Sequence, residues 1–419
     1  MTNVDVLGGF LAAADGAGGY DFSTRNMTLH ETIIAHDGAV TVGAVGLRGN
    51  VLFEGFTVRG SMSNISFNFF VADCKTGFEV RSNQIIGGDA TSVLANEAYA
   101  LYVVNSGDAV GSGPLFRRNT IQGGERSATS TGGANKSYGA YLSATNAIFE
   151  ANTIAAGTSD DSYAVYVTGV EAPILKSNVI LSAGKTAIDL GTCHALYVKG
   201  ENNVYPQVVI SNNTVHARVC NDPVAATAQT SVAMTLDKTM AVITGNLFLG
   251  DGSAFAGAAT SICVDVLPQT APWMATFHSN TLAGCNADGA AAGDFAFRRY
   301  FGGSYGEATS LDQACQTTRN FFGTAGPTGA NTYVATLAGM GFVNIGSGDY
   351  HLTGSSPAIV RSGSPYTLTN VCGATWSGNE ALCTATTNPA TNTFTCGSVT
   401  YDRDMVTRSP SYSRGAYEF

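Results

Sequence analysis

"SNQI" (Ser82–Ile85) sets an asparagine, a spacer and an apolar residue behind a short lead residue, and the chain keeps returning to that unit. It reappears as "RNTI" (Arg118–Ile121), "ANTI" (Ala151–Ile154), "SNVI" (Ser177–Ile180), "NNTV" (Asn212–Val215), "GNLF" (Gly245–Phe248) and "SNTL" (Ser279–Leu282). The asparagines stand at 83, 119, 152, 178, 213, 246 and 280, with spacings of 36, 33, 26, 35, 33 and 34, a mean of about 33. A fixed period of this length predicts a solenoid or propeller-like array rather than several unrelated domains. The segments around each asparagine alternate, favour β-branched and aromatic residues, and are broken by Gly, Ser, Asn and Asp, which excludes helical repeats.

A second column supports the same unit. "YALYVV" (Tyr99–Val104), "YGAYLS" (Tyr138–Ser143), "YAVYVT" (Tyr163–Thr168) and "HALYVK" (His194–Lys199) precede successive asparagines, followed by the weaker "SVAMTL" (Ser231–Leu236) and "SICVDV" (Ser261–Val266). Each repeat therefore carries at least two short strands, and stacked repeats give parallel sheets along a coil. At the corner between strands, asparagine itself is expected to take the left-handed backbone region, with its amide bonding to the next coil. The apolar residue two places on is expected inside, piled on its counterparts.

Composition agrees with a folded, turn-rich chain. Of 419 residues, 12% are charged, 44% hydrophobic and 50 are glycine, which is the opposite of a disordered composition. The net charge of -10 argues against nucleic acid and anionic membranes as partners, and only six lysines make a strongly anionic substrate a poor match. No stretch is long and apolar enough to span a bilayer. The opening "VDVLGGF" already reads as a strand, so the N-terminus is expected to be truncated, with a signal or anchor upstream. Among nine cysteines, Cys193 and Cys220, and likewise Cys263 and Cys285, hold similar phases in neighbouring repeats, suggesting two bridges. Cys372, Cys383 and Cys396 suggest one more near the C-terminus, and together the cysteines favour an oxidising, extracellular or cell-surface location.

At these residues the chain resembles the right-handed parallel β-helix repeat proteins, which include pectate-lyase-like enzymes and many surface proteins. "DYHLTGSSPAI" (Asp349–Ile359), "YDRDMVTR" (Tyr401–Arg408) and the final "GAYEF" (Gly415–Phe419) resemble the ending of bacterial secreted members with a choice-of-anchor-like tail. "VLGGF" (Val6–Phe10) and "VLFEGFTVRG" (Val51–Gly60) resemble their first coils. The resemblance implies an all-β fold: a single right-handed parallel β-helix of about 33 residues per coil with a less regular, disulfide-containing C-terminal cap. Residues 1–60 would be opening coils, 61–295 the regular solenoid, and 296–419 terminal coils and tail covering the last coil.

Chemistry is harder to place. The pectate-lyase-like enzymes need a base and calcium-holding carboxylates, and the related hydrolases need paired aspartates; neither motif is present. Asp189, Asp237 and Asp265 are isolated acids on strands, and Lys176, Lys199, Arg117 and Arg118 are bases without a lowering environment. The six histidines never pair at ligand spacing, and no nucleophile elbow or phosphate-binding loop occurs. Asp402 and Asp404 form a weak calcium candidate; no other metal or cofactor is expected. Period-two alternation places Tyr102, Tyr141, Tyr166 and Tyr197 outward in a ladder rising about 4.8 Å per coil, a surface suited to sugars or a protein contact. Arg298 and Arg299 are further candidates for lining a sugar groove. The expected function is adhesion or carbohydrate binding without catalysis, the partner being a polysaccharide, a cell-surface glycan or another surface protein. A divergent polysaccharide lyase or glycoside hydrolase is the alternative, and a self-assembling structural fibre or surface-layer component the third.

Overall fold

The computed structural model of the chain describes residues 4–9, 30–36, 38–60, 65–88, 97–124, 136–183, 192–200, 207–218, 230–251, 261–267, 275–278, 280–285, 297–301, 304–307, 332–334 and 336–357. It also describes the short stretches 13–14, 20–21, 26, 220, 367–368, 383–385, 394–396, 403–404 and 415–417. Asp189, Cys372 and Asp402 lie outside the described residues.

Among the described residues three sheets carry the fold, parallel throughout except for the antiparallel Ser304–Glu307, and each inner strand pairs with its counterpart one repeat before and one after. The first sheet has nine strands, running from Val4–Leu7 through Leu115–Arg117 and Ile148–Glu150 to Ala275–His278. The second has ten and holds the strands that follow the asparagines, among them Gln84–Ile86, Thr120–Gln122 and Thr153–Ala155. The third, also of ten strands, holds the eight-residue segments such as Glu97–Val104, Lys136–Ser143 and Asp161–Thr168. The chain visits the third, first and second sheets in turn, which is the path of a parallel β-helix.

Between first and second sheet the chain turns a tight corner, and here the structure corrects the expected backbone. From Asn83 to Asn246 the left-handed residue is the one before the asparagine: Ser82 (φ 54°), Arg118 (56°), Ala151 (57°), Ser177 (54°), Asn212 (53°) and Gly245 (66°). That residue makes the turn, so the asparagine side chain swings inside with its amide free to bond along the stack. Each Oδ1 accepts from the backbone N–H and the Nδ2 of the asparagine one coil earlier, at 2.8–3.1 Å, unbroken from Asn83 to Asn280. The Nδ2 also reaches back to a first-sheet carbonyl of the previous coil: Val80 for Asn119, Phe116 for Asn152, Phe149 for Asn178. A left-handed non-glycine costs roughly 1–2 kcal/mol; several buried hydrogen bonds per corner offset it.

The apolar residues two places on form the internal pile. Ile85, Ile121, Ile154, Ile180, Val215, Phe248 and Leu282 pair in register down the second sheet and are all sealed from solvent. Facing them from the first sheet are Val80, Phe116, Phe149, Leu175, Ile210 and Ile243, with Phe116 and Phe149 stacked at 4.6 Å, in one continuous core.

Disulfides join Cys193 to Cys220 and Cys263 to Cys285 within the later coils. Closing loops of 27 and 22 residues, each restricts the unfolded chain by roughly 3 kcal/mol on a chain-entropy account. Cys383 and Cys396 are backbone partners in an antiparallel pair, and Cys74 is buried and unbridged.

In the C-terminal segment Thr332–Val334 adds a strand to the second sheet beyond Thr281–Ala283, and residues 340–352 with 415–417 lie along that sheet's outer face. Met340, Tyr350, Leu352 and Ala416 pack on Val179, Leu181, Leu247, Leu249 and Ala283. Tyr350 Oη meets His216 Nδ1 at 2.7 Å, Gly415 N–H donates to the Gly245 carbonyl, Ala416 N–H to Thr214 Oγ1, and Arg403 Nη2 to Thr153 Oγ1. Within this strap His351 places Nδ1 on Asp349 at 2.5 Å and Nε2 on Asp404 at 2.6 Å, its ring against Tyr417.

Two predictions follow from these contacts. Asn152→Ala strands the Asn119 N–H and Nδ2 donors in the core, and should lower unfolding free energy by roughly 3 kcal/mol, measured by denaturant titration. Ile154→Val beside it should cost only about 1 kcal/mol. The strap should respond to pH. Burial works to lower the His351 pKa, but the hydrogen bonds and charges of Asp349 and Asp404 outweigh it and hold it above 6.5. For Asp349, burial is likewise outweighed by His351, and its value lies below 3.8. The latch is therefore complete below about pH 6.5 and is lost as pH rises through the raised histidine value; on the acid side it weakens as Asp349 protonates. Hydrogen exchange of peptides spanning 403–417 should quicken across the alkaline step, and His351→Gln should abolish that step.

Candidate functional site

The third sheet puts the sequence-derived tyrosines in line. Tyr102, Tyr141, Tyr166 and Tyr197 are register partners on successive strands, half-buried and outward-facing, with Phe70 below Tyr102. Their rings stack nearly parallel, with centroids 5.0, 5.0 and 5.2 Å apart.

Beside this column runs a second one, which strict period-two alternation would set on the opposite face: Phe67, Tyr99, Tyr138, Tyr163 and His194. Its Tyr99–Tyr138, Tyr138–Tyr163 and Tyr163–His194 steps are 4.8, 5.2 and 5.1 Å. The two columns touch edge-to-face at every rung. Both face outward because each strand bends between them. Ala100 and Leu101 are consecutive core residues, as are Ala164 and Val165, and Ala195 and Leu196. Only a small residue fits the bend: a Cβ on Gly139 would lie 2.6 Å from two carbonyl oxygens. The signal in the sequence was the three-residue spacing of "YALY", "YGAY", "YAVY" and "HALY", with small residues between the aromatics.

Because the rings stack on each other along the solenoid axis, their faces are covered by neighbours; the Tyr102 column stays half-buried at the surface, while Tyr99, Tyr138, Tyr163 and His194 are buried beside it. Burial raises the tyrosine pKa of Tyr99, Tyr102, Tyr138, Tyr163 and Tyr197, and Glu97, which accepts from Tyr99 Oη, adds to it at Tyr99. Glu97, Lys136 and Asp161 occupy one register position along the flank of the columns.

Where the ladder stops, polar groups take its place. The column continues from Tyr197 to Thr235, Asp265 and Arg298. His194 Nδ1 lies 3.0 Å from Thr235 Oγ1, and Asp265 is buried. Burial raises the Asp237 carboxyl above its usual range, against the opposing pull of Lys238, Lys199 and a hydrogen bond with Tyr197. His194, Tyr197, Thr235, Asp237 and Asp265 thus gather at one end of the aromatic face. Arg298 and Arg299 lie on strand Phe297–Phe301, at register positions opposite Asp265 and Val266.

The other bases are already engaged. On the outer face of the first sheet, Arg81 forks onto Glu54 (2.7 and 3.3 Å), and Glu150 is held between Arg117 Nη2 at 2.6 Å and Lys176 Nζ at 3.1 Å. Burial works to raise the Glu150 pKa, but the two cations outweigh it and the net shift is downward. Arg117 and Lys176 therefore serve an ion-pair column, while Arg118 is an exposed corner residue. A shallow groove of about 310 Å³ on this sheet is lined by Asp5, Leu52, Glu79, Leu115 and Ile148. Asp404, half of the calcium candidate, is bonded to His351. Among the described residues no group of three His, Cys, Asp or Glu side chains is placed to hold a metal ion, and no helix is long and apolar enough to cross a membrane.

The buried hydroxyls give an alkaline prediction. With folded pKa values above the usual 10, the native state keeps its protons where the unfolded chain loses them, so stability is full below about pH 10 and falls as pH rises beyond it. A spectrophotometric titration should show Tyr99, Tyr138, Tyr163 and Tyr197 silent until the chain unfolds, then ionising together. In comparisons with protein-family models, curated proteins and solved structures, nothing matches this chain.

Proposed function

We propose that the chain is a secreted or cell-surface right-handed β-helix protein, of the pectate-lyase-like kind with an anchor-type tail, that binds an extended polysaccharide without cleaving it. The observation supporting this is the pair of in-register aromatic columns on the third sheet, with rungs 4.8–5.2 Å apart. A linear glycan laid parallel to the solenoid axis meets ring edges and hydroxyls at each coil, so that weak contacts repeat along one ligand. The low count of basic residues and the acidic balance favour a neutral glycan. The two disulfides are compatible with an oxidising location.

A second reading, a polysaccharide lyase or hydrolase, is favoured by one observation. Asp237, with its raised carboxyl pKa, and Asp265 converge on Tyr197 at the end of the ladder. A carboxyl shifted upward holds its proton more tightly than usual, which suits donation to a leaving alkoxide.

One experiment separates the two. Incubation with a polysaccharide panel, scored for retention and for new reducing or unsaturated ends, should give retention alone. Tyr141→Phe/Tyr166→Phe keeps both rings and removes two hydroxyls; retention should fall several-fold with the melting temperature unchanged. Cleavage that disappears in Asp237→Asn would establish the enzyme instead, and retention indifferent to the tyrosine changes would overturn the proposed face.

A further inference from the structure

The phenol-bearing part of the aromatic face is bounded at both ends. In the Tyr102 column the rung before Tyr102 is Phe70, stacked on it at 5.7 Å, and the rung after Tyr197 is the buried Thr235. In the neighbouring column Phe67 precedes Tyr99, and Val232 follows His194. The outward phenols Tyr102, Tyr141, Tyr166 and Tyr197 therefore occupy consecutive strands, one on each of Glu97–Val104, Lys136–Ser143, Asp161–Thr168 and Thr192–Lys199. Each rung lies about one interstrand spacing from the next, with centroids 5.0, 5.0 and 5.2 Å apart. A phenol hydroxyl both donates and accepts, so a bond within the protein leaves it capacity for another.

Such a row sets the repeat of any polymer that is to meet every rung. A pyranose linked through equatorial bonds at both ends is drawn out to nearly its full ring length, and the chain advances by about one interstrand spacing per sugar. An axial bond at one end, or a 1,3 linkage, coils the chain, and each sugar then advances by less. From Tyr102 to Tyr197 that shortfall accumulates at every step, and the hydroxyls of a coiled glycan leave register with the rungs. Inside the column each ring face is covered by its neighbours, so a sugar meets the row on edge. Both edges of a hexose carry hydroxyls, and the half-turn between successive sugars of an extended ribbon does not interrupt the contacts. Charge fits a neutral chain: along the flank Glu97, Lys136 and Asp161 share one register position, with signs that alternate.

Resting on the polysaccharide reading above, we infer that the ligand is a neutral β-1,4-linked hexose chain of the glucan or mannan kind. It lies along the solenoid axis with one sugar per coil, and its site runs from Tyr102 to Tyr197, a length of about four sugars.

Calorimetric titration with cello- and manno-oligosaccharides of two to about six sugars tests this, because repeated contacts along one ligand add. Malto-oligosaccharides of the same lengths are the control, sharing the sugar of the cello series and differing in linkage geometry. The association constant of a β-1,4 series should rise several-fold with each added sugar and level off at about four. The malto series should bind at least about tenfold more weakly at equal length. Phe70→Tyr adds a hydroxyl one rung before Tyr102 and should move the plateau by one sugar, with the melting temperature unchanged. Equal binding of the β-1,4 and malto series, a plateau at another length, or one that Phe70→Tyr leaves in place would overturn the inference while a general glycan-binding face stands. Binding of none of these series would overturn it too, and if the polysaccharide panel also shows no retention, that face falls with it.

Discussion

From Asn83 to Asn280 each coil turns a corner where neither adjoining sheet satisfies the backbone, and a buried asparagine solves that problem each time. Its amide oxygen takes two donors from the coil before, and its nitrogen returns two bonds to that stack and to the next asparagine. In a core without water, each of these groups would otherwise carry the cost of an unmade hydrogen bond. The corner therefore fixes the register of the first and second sheets together. Registers in turn decide which side chains pile inside, because a one-residue slip would exchange inner and outer faces. Stability here is the sum of such nearest-neighbour contacts rather than the product of one globular core.

The sparse charges follow the same coil-to-coil logic. Glu54–Arg81 and Arg117–Glu150–Lys176 link strands that are register partners, and the Glu150 carboxylate is almost wholly withdrawn from water. A carboxylate so placed holds its charge only because two cations compensate for the lost hydration. Removing one cation would leave the other to neutralise a buried acid. These bases are consumed in holding neighbouring coils, which takes them out of contention as catalytic bases.

The sequence made the stacking legible where one residue type recurs at one phase. The asparagines marked the corners, Ile85, Ile121, Ile154 and Ile180 marked the pile, and the Tyr102 column marked an outward row. Three features escaped because their causes are not periodic in the same way. The left-handed position is filled by Ser, Arg, Ala, Asn and Gly in turn, since the hydrogen bonds around the corner impose the conformation and no side chain advertises it. The Tyr99 column was hidden because strict alternation cannot describe a strand that bends at Ala100. The strap contacts, such as Arg403 with Thr153 and Ala416 with Thr214, join residues 250 and 202 positions apart. Local pattern carries no trace of pairings that distant.

Ring stacking and ligand stacking compete for the same π faces, and this competition shapes what the aromatic surface can recognise. With neighbours about 5 Å away on both sides, a ring inside the column has no face left for a sugar; its edge hydrogens and hydroxyl remain. On the proposed reading, such a row would discriminate by hydroxyl spacing along a polymer rather than by capturing one sugar ring, and its contribution would grow with ligand length. The ladder's last rung differs. Past Tyr197 the column position is taken by Thr235 and then Asp265, with His194 turned onto Thr235 and Asp237 drawn to the tyrosine. The proposed recognition of a repeating polymer and any chemistry upon it would therefore be separated along one face: uniform rungs would hold register, and the carboxyls of Asp237 and Asp265 stand where that uniformity ends.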